Sequence, residues 1–227
     1  NLLEECLQMQ ASAERLQRIS KGAEQQLSGR IRLSANEIIA LFYLPKILPA
    51  FLDTYPELSV EIEVSNRASN LDKRDSDIAI RMFRPTQLDL VTRHIMDIPL
   101  GFYAHPSYLE KYGTPKTLED FYNYRALGYD RDLQFEEGGR AMGWEIHNEN
   151  FKFRTDFMPL HLAMAKEGGG IVATHQILGE QAGLTLLDFD IRLPDLPIFL
   201  TCHRDVQHNK KIRVLMDYLA EYLPTAL

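Results

Sequence analysis

Polar and apolar positions along this chain follow two rhythms, and the change between them comes at Ser28. From Leu2 the apolar or small residues are Leu2, Cys6, Met9, Ala13, Leu16, Ser20, Ala23 and Leu27, in alternating steps of four and three. Such steps hold one stripe on one side of a helix and match a heptad seam. The stripe is suited to pairing with a second helix. Packing on its own domain is the alternative, since Ala13, Ser20 and Ala23 offer little apolar area. Ser28 and Gly29 close the pattern as a helix C-cap does.

Beyond Ser28 the period shortens. Residues 30–34 alternate through Ile31 and Leu33 as a strand, and Asn36 with Glu37 reads as the cap and first turn of a helix reaching Tyr55. Pro45 and Pro49 fall inside that helix, where a missing N–H and a ring clash predict a break or kink. After Pro56, Val60, Ile62 and Val64 alternate with Glu61 and Glu63 in a half-covered strand. A short apolar strand follows at 77–81, and two more occupy 90–104 around Pro99. The spacing then predicts helices near 107–112 and 118–122, a strand at 125–129, and a hairpin within 138–154 around Trp144 that turns at 148–150. Residues 157–166 read as a helix ended by Gly168, Gly169 and Gly170, with a short buried strand at 171–174. Strands at 184–187 and 198–202 precede an amphipathic helix at 210–222 that Pro224 stops. Strands alternating with helices at this spacing imply βαβ units and a mostly parallel sheet, so the class is α/β.

With 227 residues, 45% hydrophobic and 25% charged, the chain has the composition of a folded protein of one large domain or two small ones. A formal charge of −7 argues against a large phosphate-tracking surface, which needs clustered Lys and Arg. Cys6 and Cys202 are too far apart for a metal or redox motif, exclude a disulfide framework, and suit a reducing cytoplasm. Apolar runs such as 38–44 fall short of a bilayer span, and the first residues lack the basic start and apolar core of a signal peptide. A cytoplasmic location without membrane contact is the expectation.

Taken in order, several segments resemble the effector-binding region of LysR-type transcription regulators. Gly29-Arg30-Ile31-Arg32-Leu33 is similar to the opening strand of that family; Tyr43-Leu44-Pro45-Lys46-Ile47-Leu48-Pro49-Ala50-Phe51 and Tyr55-Pro56-Glu57-Leu58 are similar to its first helix and turn. Asp77-Ile78-Ala79-Ile80-Arg81 is similar to a strand that ends at the ligand cleft, and Ala165-Lys166-Glu167-Gly168-Gly169-Gly170-Ile171 to a late helix, glycine turn and strand. The resemblance implies a type-2 periplasmic-binding-protein fold, two Rossmann-like subdomains with a hinge, preceded by a linker helix. It places a linker and dimerisation helix at 1–28, a first subdomain at 29–100 plus 204–227, and a second at 101–203. It also implies a DNA-binding helix-turn-helix upstream of Asn1, a homodimer or homotetramer, and a small-molecule effector held in the interdomain cleft.

Open α/β sheets bind ligands beyond the carboxyl ends of their strands, where helix N-termini present free N–H groups. That rule and the resemblance together select Ala35, Asn36 and Glu37 after the first strand, Asn66 and Arg67 after the second, Arg81 and Phe83 at the third, and Tyr129 after the strand at 125–129. Asp156, Phe157, Thr174 and His175 complete the set. Each has a plainer role. Asn36 caps its helix whatever else it does, and Asp156 precedes a helical run as an N-cap would. Glu37 complements the helix dipole and competes with an anionic ligand at that terminus. Arg81 is suited to clamp a carboxylate or phosphate, or to pair with Asp77 or Asp130. Phe83, Tyr129 and Phe157 fit a core as well as a cleft. His175 stands where the family often has proline, and either tunes the site, senses pH or is structural.

The sequence carries no catalytic signature. His94, His105, His147, His161, His203 and His208 lack zinc-ligand spacing, no Gly-x-Ser-x-Gly elbow occurs, and the triple glycine follows a helix where a phosphate loop precedes one. The expectation is therefore a sensor without catalytic residues, metal or cofactor. A solute receptor of the same fold, without the heptad helix, or an enzyme using the cleft are the alternatives.

Overall fold

The computed structural model describes residues 27–66, 76–85, 87–144, 147, 149, 151–189 and 192–226. The heptad stretch and Arg67 lie outside them. The chain forms two compact units, one of residues 1–95 with 198–227 and one of 96–197. Both passages between units occur within long strands, β4 (Leu90–Ile98) and β10 (Leu196–His203), a few residues before the crossings expected near 100 and 203.

In the first unit β1 (Gly29–Ala35), β2 (Leu58–Val64) and β3 (Ile78–Arg81) join β10 and β4 in a five-stranded sheet of order β2-β1-β3-β10-β4. β2 and β3 run parallel to β1, and β10 runs antiparallel to β3. The sheet is mixed because β10, which follows the second unit in the chain, runs antiparallel to β3. Ile31, Leu33, Ile78, Ile80, Ile198 and Leu200, all of the first unit, are almost fully buried and form the period-2 apolar face of its strands. Helix α1 (Leu44–Thr54) buries Leu44, Ile47 and Phe51.

Neither proline breaks the region 37–54. The helix instead widens into a π turn, Ile39–Tyr43, in which the Leu44 N–H reaches back five residues to the Ile39 carbonyl. Pro45 then stands at the start of α1, where its missing N–H costs nothing. π turns are a recognised way for a helix to absorb a local defect such as a proline.

The second unit contains β5 (Leu100–Ala104), α2 (Pro106–Tyr112), α3 (Leu118–Phe121), β6 (Leu127–Gly128), α4 (Gln134–Ala141), β7 (Phe153–Arg154), α5 (Met158–Lys166), β8 (Val172–His175), α6 (Gln176–Gln181) and β9 (Thr185–Leu186). β5 is central and antiparallel to both β8 and β9, so a mostly parallel sheet is not what this unit builds. β6 and β7 are parallel. Of the hairpin expected within 138–154, residues 138–141 instead belong to helix α4 and 153–154 form the two-residue strand β7, while residues 148 and 150 of the expected turn lie outside the described residues. Glu136 and Glu137 of α4 fall in the first turn and Arg140 in the last, which is the charge order a helix dipole favours. Trp144 is instead a core residue, edge-on to Phe102, Phe121 and Phe135 at 5.2–5.9 Å. Gly168 ends α5 at φ +70°, with its N–H and that of Gly169 donating to Ala165 and Met164 carbonyls.

The last helix, α7 (Lys210–Tyr222), is capped by Asn209 and buries Ile212, Leu215 and Leu219 at helical spacing in the first unit. The Tyr218 hydroxyl donates to the Ile47 carbonyl at 2.7 Å, tying α7 to α1.

Candidate functional site

In the first unit, three parallel strands end together at Ala35, Val64 and Arg81, and six of the expected residues follow from that geometry. Ala35 is buried, and its carbonyl accepts the Ser65 N–H at 2.8 Å. The Asn36 side chain works at both ends: Oδ1 accepts the Ile39 N–H at 2.8 Å, and Nδ2 lies 2.9 Å from the Met82 sulfur. Asn36 thus caps the helix and also ties the loop after β1 to the loop after β3. Glu37 is half-buried, and its Oε2 is buried without a hydrogen-bond partner among the described residues. Asn66 is exposed, and Phe83 half-buried.

Arg81 is 4% exposed. Its Nη2 donates to the Ser34 hydroxyl at 3.1 Å and its Nη1 to the Ile80 carbonyl at 3.2 Å, both uncharged acceptors. Nε is buried with no partner among the described residues. Burial lowers the guanidinium pKa, and Glu63 works against that shift. Neither acid suggested by the sequence pairs with it. The Asp77 carboxylate accepts the Arg32 N–H at 2.8 Å, and that of Asp130 lies 3.7 Å from Arg131. Glu63 itself is 3.6 Å from Arg32.

In the second unit, Ala126 and Ile171 form a parallel bridge and β6 pairs in parallel with β7. Three segments that pair in parallel therefore run toward Tyr129, one residue past paired Gly128, Asp156, two past paired Arg154, and Thr174, three past Ile171. Asp156 does not cap its own helix: Phe157 holds the cap position of α5 and makes no side-chain cap bond. Its carboxylate reaches sideways instead. Oδ1 accepts the backbone N–H groups of Asp130, Arg131 and Asp132 at 2.9, 3.0 and 3.1 Å. Successive amides aimed at one point make an anion-binding nest, and here the chain fills the nest with its own carboxylate. Burial alone would raise the Asp156 pKa; the three amides outweigh it and hold the pKa below the usual carboxylate range.

Beside this loop, His161 is buried with Nε2 2.9 Å from the Gly128 carbonyl and its ring 5.0 Å from Tyr129, edge to face. Burial pulls the His161 pKa down, against the Gly128 and Thr155 carbonyls and Asp156. The Tyr129 hydroxyl is pushed up to about 12 by burial and by Asp132 and Asp156. Phe157 is 48% exposed and so is no core residue. Thr174 and His175 are buried at the end of β8, opposite Gly101 and Leu100, and burial takes His175 down to about 4. Sequence reasoning missed Ser34, Glu63 and His161 as neighbours of the expected residues. Only strand parity, which puts Ser34 and Glu63 opposite each other, was available to find any of them. Among the described residues there is no cluster of metal-ligating side chains and no helix long and apolar enough to cross a membrane.

Residues 24–224 match the family model of the LysR substrate binding domain. The HTH-type transcriptional regulator CrgA of Neisseria meningitidis serogroup C is 25% identical over 207 residues, which cover 86% of this chain and 67% of that protein. The solved structure of CrgA from Neisseria meningitidis superposes with a TM-score of 0.78 at 24% identity, over 97% of this chain and 76% of that one. The Synechocystis PCC6803 CcmR regulatory domain, solved in complex with 2-PG, gives 0.71 at 18% identity, over 86% of this chain and 97% of that one. These structures share the fold, that of periplasmic-binding-protein type 2.

Proposed function

Since this chain belongs to the LysR family, as a substrate-binding (regulatory) domain, we propose that it is the small-molecule sensor of a cytoplasmic DNA-binding transcription regulator and has no catalytic role. The observation that carries this reading is the match over residues 24–224, with relatives that are named as transcriptional regulators. The residues offered for effector binding are those at the strand ends of each unit taken by itself: Asn36, Glu37 and Arg81 in the first, and Tyr129, Thr174 and His175 in the second. A regulatory domain of the same fold solved with 2-PG supports a small molecule as the ligand. The heptad stretch within 1–28 acts as the linker that pairs protomers, with subdomains at 29–100 plus 204–227 and at 101–203. A ligand shifts such a sensor only by its differential affinity for two states.

The test is to read the frame upstream of Asn1 and to assay the whole protein on DNA from its own promoter with and without candidate metabolites. A helix-turn-helix of about 60 residues, and a metabolite that changes DNA affinity or footprint, are the expected results. A signal peptide upstream, or steady turnover of a bound compound, would overturn the reading.

A further inference from the structure

Among the described residues Tyr112, Tyr122 and Tyr222 are the most exposed tyrosines, at 46%, 41% and 41%. Two of them have opposite surroundings. Tyr222 stands beside Glu221, which raises its pKa. Tyr112, the last residue of α2, is flanked by cations instead. The Lys111 ammonium lies 5.1 Å from its ring centre and the Arg125 guanidinium 5.9 Å, and Arg125 Nη2 donates to its hydroxyl at 3.4 Å. Lys111 first, and Arg125 after it, hold this phenol below the usual tyrosine range. Neither cation is paired with an acid among the described residues. Arg125 is also fixed by its backbone: its N–H donates to the Tyr108 hydroxyl at 2.8 Å, and its carbonyl accepts the Ile171 N–H at 2.8 Å. Tyr108 in turn packs against Tyr112 with ring centres 4.8 Å apart. The phenol and the guanidinium thus share one frame, and Tyr112 stays open to solvent.

A contact of 3.4 Å is long for a hydrogen bond to a phenol, and two cations are more than a neutral hydroxyl needs. A phosphate on that oxygen would carry about −1.5 to −2 charges and three acceptor oxygens. It would turn the loose contact into charge-assisted bonds to a guanidinium and an ammonium. We propose that Tyr112 is a phosphorylation site, and that Arg125 and Lys111 receive its phosphate. The donor is a nucleoside triphosphate acting with a tyrosine kinase. The phenolic oxygen bonds to the γ-phosphorus as the bond from that phosphorus to its bridging oxygen breaks. The nucleoside diphosphate leaves with the electron pair, and the phenolic proton passes to the base of the kinase. The dipole of α2 opposes an anion at its last residue, but by less than one charge-assisted bond contributes. Phosphorylation would join the end of α2 to Arg125, two residues before β6 and four before Tyr129, so it acts on the segment that leads to a candidate effector residue.

The experiment has two arms on the full 227-residue chain. In the first, a tyrosine kinase of broad specificity acts with magnesium and ATP, and the occupancy of each tyrosine is read by peptide mass spectrometry. Tyr112 should be the principal site, ahead of Tyr122 and Tyr222. In the second, phosphotyrosine is placed by amber-codon suppression in place of Tyr112 or of Tyr222, and the phosphorus resonance is titrated with pH. At Tyr112 the second phosphate pKa should lie below its ordinary value of about 6, as a proton affinity lower by about threefold or more. Beside Glu221, at Tyr222, it should not fall. Arg125→Met keeps the aliphatic stem of an exposed side chain and should return the Tyr112 phosphate toward the ordinary value. It should also abolish the rise in Tm expected from phosphate at Tyr112. A phosphate there that titrates at the ordinary value and ignores Arg125→Met overturns the proposal. So does a kinase reaction that modifies Tyr122 or Tyr222 and leaves Tyr112 bare.

Discussion

Asp156 illustrates how a single carboxylate organises backbone far from it in sequence. Three amides converge on Oδ1, and hydrogen bonds to a charged acceptor contribute about 1.5–3 kcal/mol each at most, with neighbours not additive. Asp156→Ala should therefore cost about 2–3 kcal/mol in urea unfolding at neutral pH, with no loss of secondary structure. The folded-state pKa is depressed, so this stabilisation is complete above the unfolded-state pKa and is lost as pH falls through the folded one. The gap between wild type and Asp156→Asn should close on acidification; a gap that stays constant down to about pH 2 would remove Asp156 as the cause. His175 titrates with the opposite charge logic. Burial takes it from the ordinary 6.5 to about 4, so the unfolded chain binds a proton across that window that the folded chain refuses. Stability falls as pH drops from 6.5 to 4, and the imidazole carbon resonance should stay that of the neutral ring until near the lower value. Titration of this resonance near 6.5 would show that His175 is not desolvated.

At the scale of elements, what the sequence made legible was whatever depends on one face of one segment. The helix at Lys210–Tyr222 matches its expected limits because Ile212, Leu215 and Leu219 repeat at helical spacing between an Asn cap and a proline. The π turn was not legible, because Pro45 announces a defect without saying whether the helix breaks or widens. Helix α4 was missed because the spacing around Trp144 read as a hairpin, while the burial that decides the matter comes from Phe135 of α4 itself and from Phe102 and Phe121 earlier in the chain. For the same reason the candidate positions at strand ends could be named, but the bond from Arg81 to Ser34 and the reach of Asp156 to the 130–132 amides could not. β6 gives a test of tight packing at this scale. A Cβ on Gly128 would stand 2.2 Å from the Phe151 ring, and overpacking of this kind costs about 1–3 kcal/mol. Gly128→Ala should lower the unfolding midpoint accordingly, and pairing it with Phe151→Leu should restore part of the loss. A midpoint unchanged by Gly128→Ala would mean that β6 and Phe151 move apart freely. The Tyr218 bond to Ile47 is a smaller case: Tyr218→Phe should cost about 1 kcal/mol and loosen α7 from α1, read as faster amide exchange in both helices.

For the whole molecule, charge separates the sensing function from the DNA-binding one. Lys and Arg total 25 against 32 Asp and Glu, leaving −7, and several of the cations are already engaged: Arg30 and Arg32 with Glu61 and Glu63, Arg93 with Asp217. Binding to duplex DNA draws its affinity from cations that displace condensed counterions, and each engaged or outnumbered cation subtracts from that gain. The 227 residues alone should therefore give no anisotropy change with a labelled duplex of about 30 base pairs at about 50 mM salt, even at protein concentrations near 10⁻⁴ M, where DNA-binding proteins already associate without sequence preference. The same chain extended upstream through a helix-turn-helix should bind, with an affinity that falls steeply as salt rises, since its basic surface would lie in the added part. Salt-dependent binding by the 227 residues alone would reverse the assignment: it would place a phosphate-tracking surface on this chain, and the regulator would then contact DNA through its sensor as well as its head.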